Sequence, residues 1–181
     1  MSITIRTSTL QDAPAIQKLY QRVSAESGGL ARQPEEITED YVQHFLTRST
    51  TQGIGLVAEQ AGELVAEIHA YQAGLQIFAH VLGDLTVAIA PAAQGQSLGR
   101  RLFTELLTRA QAQFPQVSRV ELLVRESNTR AIALYEKLSF RQEGRFEGRV
   151  AGAQGLEADI PMAWHAPAAW EADQNHPAYH L

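Results

Sequence analysis

Cysteine is absent from this sequence of 181 residues, which excludes a disulfide framework, a thiolate nucleophile and a thiolate-held metal. Any catalysis must therefore use oxygen and nitrogen groups. Basic residues are outnumbered, 15 Lys and Arg against 20 Asp and Glu for a net charge of -5, so the surface is not built to neutralise phosphates and no nucleic-acid partner is expected. Long apolar runs are missing too. No segment reaches the roughly 18 apolar residues of a membrane span, and Met1 to Arg6 lacks the basic start and apolar stretch of a secretory signal. The expected location is cytoplasmic, with no membrane partner. None of the six histidines stands at HxxxH or HxH spacing and no carboxylate-histidine helix motif occurs, so no metal is expected. A Gly-x-Ser-x-Gly elbow is also lacking, which leaves a serine hydrolase without support.

What is present suffices for one sizeable core, since 45% of the residues are hydrophobic. One domain is expected over 1–164, with 165–181, rich in Ala, Pro and His, as a C-terminal extension. Ile3 and Ile5 alternate with polar neighbours as in a short edge strand. Thr9, three residues before Asp12, has the spacing of a helix-starting cap. Ile16, Leu19, Tyr20 and Val23 form the buried stripe of a first helix, ended by Gly28-Gly29, and Ser27 to Pro34 reads as a loop. Thr38 caps a second helix with Val42, Phe45 and Leu46 on one face. Ile54 to Glu59 and Glu63 to Tyr71, joined at Ala61-Gly62, read as a hairpin, followed by a strand from His80 to Ile89. A helix with Leu98, Leu102, Leu106 and Ala110 on one face follows and stops before Pro115. Val120, Leu122 and Val124 alternate as a strand, then come a helix from about Thr129 to Leu138 and two closing strands, Phe140 to Phe146 and Leu156 to Ala163. The fold class predicted is α/β of the α+β kind: a mixed, mainly antiparallel central sheet flanked by helices.

The stretch from Asp84 to Arg101, DLTVAIAPAAQGQSLGRR, carries the chemistry. A buried strand passes through a proline into a polar loop that opens a helix, and the free N–H groups and positive dipole end of such a helix favour an anion, with pyrophosphate as a natural guest. Two other phosphate-binding readings fail locally. A nucleotide-triphosphate loop ends in Gly-Lys-Ser/Thr, whereas this one ends Gly99-Arg100-Arg101, and a Rossmann fingerprint follows the first strand of a βαβ unit rather than an antiparallel meander.

Gln94-Gly95-Gln96-Ser97-Leu98-Gly99 resembles the Gln/Arg-x-x-Gly-x-Gly/Ala loop of the GNAT superfamily of N-acetyltransferases. Asn128-Thr129-Arg130-Ala131-Ile132-Ala133-Leu134-Tyr135-Glu136-Lys137-Leu138-Ser139-Phe140 resembles that family's second run, Asn-x-x-Ala-x-x-Leu-Tyr-x-x-x-Gly-Phe. Ser97 and Ser139 stand where the family usually has glycine, so a positive φ at Ser97 would be strained although its amide donor is kept.

The resemblance implies acetyl-CoA as cosubstrate. Val87, Ala88 and Ile89 would offer backbone groups to the pantetheine arm, while the loop Gln94, Gly95, Gln96, Ser97, Leu98, Gly99 and Arg100 would hold the pyrophosphate. Asn128 would stand near the pantetheine, although an Asn there is also a good helix cap. Tyr135 would donate a proton to the departing thiolate as general acid. The general base stays open between Asp84, whose pKa burial would raise, Glu67, His69, His80, Glu121 and a water. The implied activity is direct transfer of an acetyl group to a primary amine of a small molecule, with Ser27 to Pro34 and Ala73 to Ala79 as acceptor walls. Alternatives are a protein N-terminal or lysine acetyltransferase, or a CoA-binding sensor without turnover. A homodimer through a sheet edge or the C-terminal extension is plausible.

Overall fold

The computed structural model describes residues 2–26, 30–152 and 154–166. Strands β1 (Ile3–Thr7), β2 (Gly53–Gln60), β3 (Glu63–Tyr71) and β4 (Val81–Ile89) pair antiparallel in succession. β4 then meets β5 (Arg119–Arg125) in parallel, and β5 pairs antiparallel with β8 (Gly155–His165), which also carries β6 (Arg141–Gln142) and β7 (Phe146–Gly152). Helices α1 (Ala13–Ser24) and α2 (Glu39–Gln52) pack on one face of the sheet, and α3 (Leu98–Gln113) and α4 (Thr129–Lys137) on the other. This is the mixed, mainly antiparallel sheet flanked by helices that the sequence predicts. Among the described residues no helix is long and apolar enough to cross a membrane.

Two cores follow from the two covered faces. Leu56 and Ala58 of β2 turn to the α3 side while Val57 turns to the α1–α2 side, so this central strand is apolar on both faces and reads as a continuous hydrophobic run. The helices obey the stripes expected of them: Ile16, Leu19, Tyr20 and Val23 of α1 are buried, as are Val42, Phe45 and Leu46 of α2. The Thr38 hydroxyl accepts the Tyr41 N–H at 3.2 Å and so caps α2. The expected end of α1 at Gly28-Gly29 and the start of the loop Ser27 to Pro34 lie outside the described residues, since 27–29 are not among them.

The closing segment differs from the sequence expectation. Phe140 to Phe146 is not one strand: Phe140 still belongs to the end of α4, where its N–H donates to the Tyr135 carbonyl at 3.0 Å. β6 then lasts two residues. Its ladder stops at Pro161 of β8, whose carbonyl accepts the Glu143 N–H at 2.9 Å but which has no N–H to return. Pairing resumes with Phe146 opposite Asp159 in β7. Two further bounds move. β4 begins at Val81, so His80 lies before the strand, and β8 runs on through His165, which takes that residue out of the expected extension; residues 167–181 lie outside the described residues.

Candidate active site

β4 and β5 pair only at Val81 with Arg119 and Leu82 with Val120, and beyond these pairs the two strands part. The part of β4 from Gly83 to Ile89 therefore has a β3 partner on one edge and an open wedge on the other. Which backbone groups face the wedge follows from antiparallel alternation. The Ala90 N–H donates to the Val65 carbonyl of β3 at 2.8 Å, so Ala88 also turns to β3, and the N–H and C=O of Val87 and Ile89 turn away from it. The Ile89 carbonyl indeed accepts from the Gln94 side chain at 3.3 Å. Of the three strand residues expected to offer backbone groups to the pantetheine, Val87 and Ile89 turn theirs toward the wedge and Ala88 turns its own to the β3 ladder.

A bulge sits at the apex of the wedge. His69 faces Thr86 and Tyr71 faces Gly83, so Asp84 and Leu85 together stand opposite Ala70. One strand has a residue more than its partner can pair, which leaves an amide without a ladder partner. Asp84 takes up the excess with φ +51. Its side chain is exposed, so the burial expected of it is not there; its charge instead acts on the Tyr71 phenol across the bulge. Burial, with the Asp84 charge next in weight, pushes the Tyr71 phenol up to about 12. Glu121 reaches the same apex from β5, with Oε1 3.5 Å from where a Cβ on Gly83 would stand, and it pairs with Arg119 at 2.9 Å.

At the other end of β4 the chain turns through Pro91–Ala93 into the loop before α3. Gln94 to Ser97 are exposed, and Gly95 and Ser97 both have positive φ, +80 and +57. The first helical bond of α3 is Arg101 N–H to the Ser97 carbonyl at 3.1 Å, so the amides of Leu98, Gly99 and Arg100 have no partner within the helix. The Leu98 side chain is buried in the core while Arg100 is exposed. Gly99 serves packing: a Cβ there would come 3.2 Å from Leu134 Cδ2 and 3.4 Å from Ile89 Cδ1, so the lack of a side chain lets α3, α4 and β4 converge beside the loop.

α4 covers this convergence. Asn128 Oδ1 accepts the Ala131 N–H at 3.2 Å, which spends the carbonyl of that side chain on the cap and leaves its amide donors. Arg130 reaches the Gln94 side chain at 3.4 Å. Tyr135 is buried between Phe103, at 5.1 Å, and Phe140, at 6.0 Å, and burial raises its phenol to about 12. The helix ends with Ser139 N–H on the Glu136 carbonyl and Phe140 N–H on the Tyr135 carbonyl, both at 3.0 Å, with Ser139 at φ +68. These are the two bonds and the left-handed residue of a Schellman end. Both serines that replace a family glycine thus occupy left-handed backbone.

On the opposite face of the sheet, Glu67 and His69 meet, with His69 Nδ1 3.1 Å from Glu67 Oε1. Both are buried, and the third member is Tyr20, whose hydroxyl donates to Glu67 Oε2. Burial first, then the Glu67 charge, holds that phenol well above its ordinary value. Phe45 stacks on His69 at 4.1 Å and closes the group from above. His80 is exposed and joins none of this; its carbonyl takes the N–H groups of Ser118 and Arg119. Of the base candidates, Glu67 and His69 come together, Asp84 and Glu121 stand at the wedge apex, and His80 is elsewhere.

Sequence reasoning missed Tyr41, Arg48 and Tyr71 on this face. Tyr41, Phe45 and Arg48 recur at i, i+4 and i+7 on α2, and that spacing was the available signal. The Arg48 guanidinium lies over the Tyr71 ring at 4.7 Å and the Arg32 guanidinium over the Tyr41 ring at 3.9 Å. Among the described residues no group of three or more His, Asp or Glu side chains is placed to hold a metal.

Comparison with known proteins bears on this geometry. The chain superposes on an acetyltransferase of the GNAT family from Streptococcus pneumoniae with TM-score 0.82 and 23% identity, covering 91% of this chain and 100% of that one. It superposes on the ribosomal-protein-S18-alanine N-acetyltransferase from Escherichia coli with TM-score 0.73 and 25% identity, over 91% and 94% of the two chains. A GNAT superfamily phosphinothricin acetyltransferase from Sinorhizobium meliloti, solved in complex with acetyl-CoA, gives TM-score 0.78 and 18% identity over 91% and 89%. Among curated proteins none matches. The sequence model of the acetyltransferase (GNAT) family matches residues 15–140, a span that takes in the wedge, the anion loop and the whole of α4. The chain is a member of the GNAT family of N-acetyltransferases.

Proposed function

We propose that the chain transfers the acetyl group of acetyl-CoA to a primary amine of a small molecule, by direct attack while both substrates are bound. The observation that carries this reading is the parting of β4 from β5 after Leu82 and Val120. It offers an extended chain the free edge of β4, through Val87 and Ile89, and it leads straight to the amide-rich loop before α3. The residues fit acetyl-CoA on their own chemistry. The amides of Gly95 to Arg100 are donors for the pyrophosphate, Arg100 and Arg130 add positive charge near them, and the two edge residues match the amides of the pantetheine. The fold relatives differ in acceptor, one named for a ribosomal protein and one for phosphinothricin, so they do not choose between a small molecule and a protein.

In the reaction, the amine nitrogen forms a bond to the acetyl carbon as the carbon-sulfur bond breaks. The nitrogen gives up a proton and the sulfur leaves as a thiolate. An unpaired amide of the Asp84-Leu85 bulge supports the carbonyl oxygen, Asp84 or Glu121 takes the amine proton directly or through water, and Tyr135 stabilises the thiolate. Glu67 lies beneath, sealed by Tyr20 and Phe45, and is assigned to holding β3 and α1 together. Calorimetric titration with acetyl-CoA, followed by thiol release with a panel of amines, tests the reading. Binding with amine-dependent release is expected; absence of acetyl-CoA binding overturns it, and release with peptide amines alone moves the assignment to a protein acceptor.

A further inference from the structure

We infer that the acceptor amine carries an acid group, a carboxylate or a similar anion, and that Arg48 recognises it. This inference rests on the acetyltransferase reading above and concerns the acceptor side of the same site.

A row of rings runs beneath the wedge on the α1–α2 side, its middle members Phe45 and His69 buried. Tyr41 meets Phe45 at 5.2 Å, Phe45 stacks on His69 at 4.1 Å, and His69 stacks on Tyr71 at 5.9 Å. One arginine lies on each end of the row, Arg32 over Tyr41 and Arg48 over Tyr71. Five arginines elsewhere in the fold are matched to carboxylates, Arg6 to Asp12 and Glu59, Arg109 to Glu105, Arg119 to Glu121 and Glu143, Arg145 to Glu126 and Glu147, and Arg149 to Asp159, whereas exposed Arg100 and Arg101 of α3 are not, so what distinguishes Arg48 is its partial burial. Among the described residues, Arg32 and Arg48 have no carboxylate within ion-pair distance. Arg48 gives one Nη2 hydrogen to the Gln72 carbonyl at 2.8 Å, and its Nε is buried with no hydrogen-bond partner. A half-buried guanidinium with an unused donor costs stability unless an acceptor arrives, and its planar fork suits a planar or tetrahedral oxyanion such as a carboxylate or phosphate.

The charge arrangement gives the acceptor a direction. Asp84 at the bulge of β4 sets its negative charge near the Tyr71 phenol while Arg48 covers the same ring from α2. An ammonium drawn to Asp84 at the wedge apex puts a neighbouring acid group within the reach of Arg48. The whole chain is acidic, with net charge -5, which taken alone suits a purely cationic amine; the local arrangement points instead to a molecule with both charges, such as an amino acid. Leu75, Ile77 and Phe78 are exposed on the β3–β4 loop, which begins at Gln72 beside Arg48 and supplies apolar surface for the rest of such a molecule.

The test compares amines that differ only in the acid group: leucine, leucinamide and 3-methylbutylamine, with the phenylalanine and glutamate sets alongside. Thiol release is measured with acetyl-CoA, and binding without turnover is measured by titrating each amine into the protein saturated with CoA. The expected result is acetylation and binding of acid-bearing amines only. R48Q should raise KM for the acid-bearing acceptor by roughly 10- to 100-fold, the size of a lost charge-assisted hydrogen bond, and erase the preference over the amide, whereas R32A, at the far end of the ring row, should keep that preference. R48K, which keeps the charge without the fork, should recover part of it. The comparison of acid, amide and simple amine on the unmodified protein keeps the inference testable if R48Q folds poorly. Amides or simple amines that serve as well as the acids overturn the inference while leaving the acetyltransferase reading intact. So does tight acetyl-CoA binding with no acid-bearing amine bound. Loss of acetyl-CoA binding in the unmodified protein removes the underlying reading instead.

Discussion

Replacing Tyr135 by Phe removes one hydroxyl and nothing else, and the structure sets the size of its effect. The phenol is pushed up to about 12 by burial, whereas a free thiol titrates near 8.5. Handing the proton fully to a thiolate is then uphill by about 3.5 pH units, or about 5 kcal/mol, so Tyr135 is expected to support the leaving sulfur by a hydrogen bond more than to protonate it outright. A hydrogen bond to a charged group contributes about 1.5–3 kcal/mol. The predicted loss in kcat is therefore roughly 10- to 150-fold, at the low end of general acid catalysis. Acetyl-CoA affinity should hardly move. Stability should also hold within about 0.5 kcal/mol, because the ring keeps Phe103 and Phe140 as neighbours and the hydroxyl makes no hydrogen bond among the described residues. Steady-state thiol release, calorimetry with acetyl-CoA and urea unfolding on the same preparation separate these quantities. An unchanged kcat refutes the role, as does a loss matched by an equal loss of stability. Since burial keeps the phenol neutral at every pH below about 12, a basic limb in kcat near pH 10 that vanishes in Y135F would refute the calculated size of the effect.

The remaining predictions concern the frame around the site. Ser139→Gly relieves a left-handed residue at the Schellman end of α4, and should raise stability by about 1 kcal/mol in urea unfolding. Ser97→Gly, at φ +57, should gain a similar amount while leaving acetyl-CoA affinity equal or tighter, because the amide is kept and only the strain is lost. Glu143 is held down at about 2 first by its hydrogen bonds to Arg119 and then by His165. Its folded value lies below the ordinary 4.5, so its contribution is complete above about pH 4.5 and is lost as pH falls toward 2. Glu143→Gln should flatten that part of the stability–pH curve, at a cost near neutrality of about 1 kcal/mol or less, because the pair is partly solvated.

The two helices on the α1–α2 side, the meander and the β4–α3 loop were legible because each is written in short-range chemistry: a stripe every three or four residues, a cap three residues before its partner, a turn at Ala61-Gly62. β6 and β7 were not. Phe140 to Phe146 has the apolar ends of a strand, but whether its middle can pair depends on Pro161 in a strand about twenty positions on, whose missing N–H breaks the ladder. Nothing local in 140–146 reports that. The bulge at Asp84 is similar, since it exists only relative to Ala70 of β3, and it turns an expected buried carboxylate into an exposed one beside Tyr71.

The site divides along the same line. The donor side lies between Val87 and Phe140 in two runs whose spacing is fixed by one strand edge and two helix ends, so a single sequence displays it, down to the serines that the backbone holds at positive φ. The acceptor side is assembled across elements. Glu67 and His69 share a face of β3, which alternation reveals, but their burial depends on Tyr20 from α1 and Phe45 from α2, and only that closure sets them beneath the wedge, away from any acceptor. Arg48 is the converse case. On α2 it reads as one more solvated charge, and what marks it is two contacts with residues outside the helix, the Tyr71 ring below and the Gln72 carbonyl on one nitrogen, together with a buried Nε that has no acceptor. A helix residue that reaches across to a strand, is half-buried and still has an unused donor carries a desolvation cost at that donor which its ring and carbonyl contacts do not offset. That is the reason to look for its partner among acceptor molecules rather than in the fold.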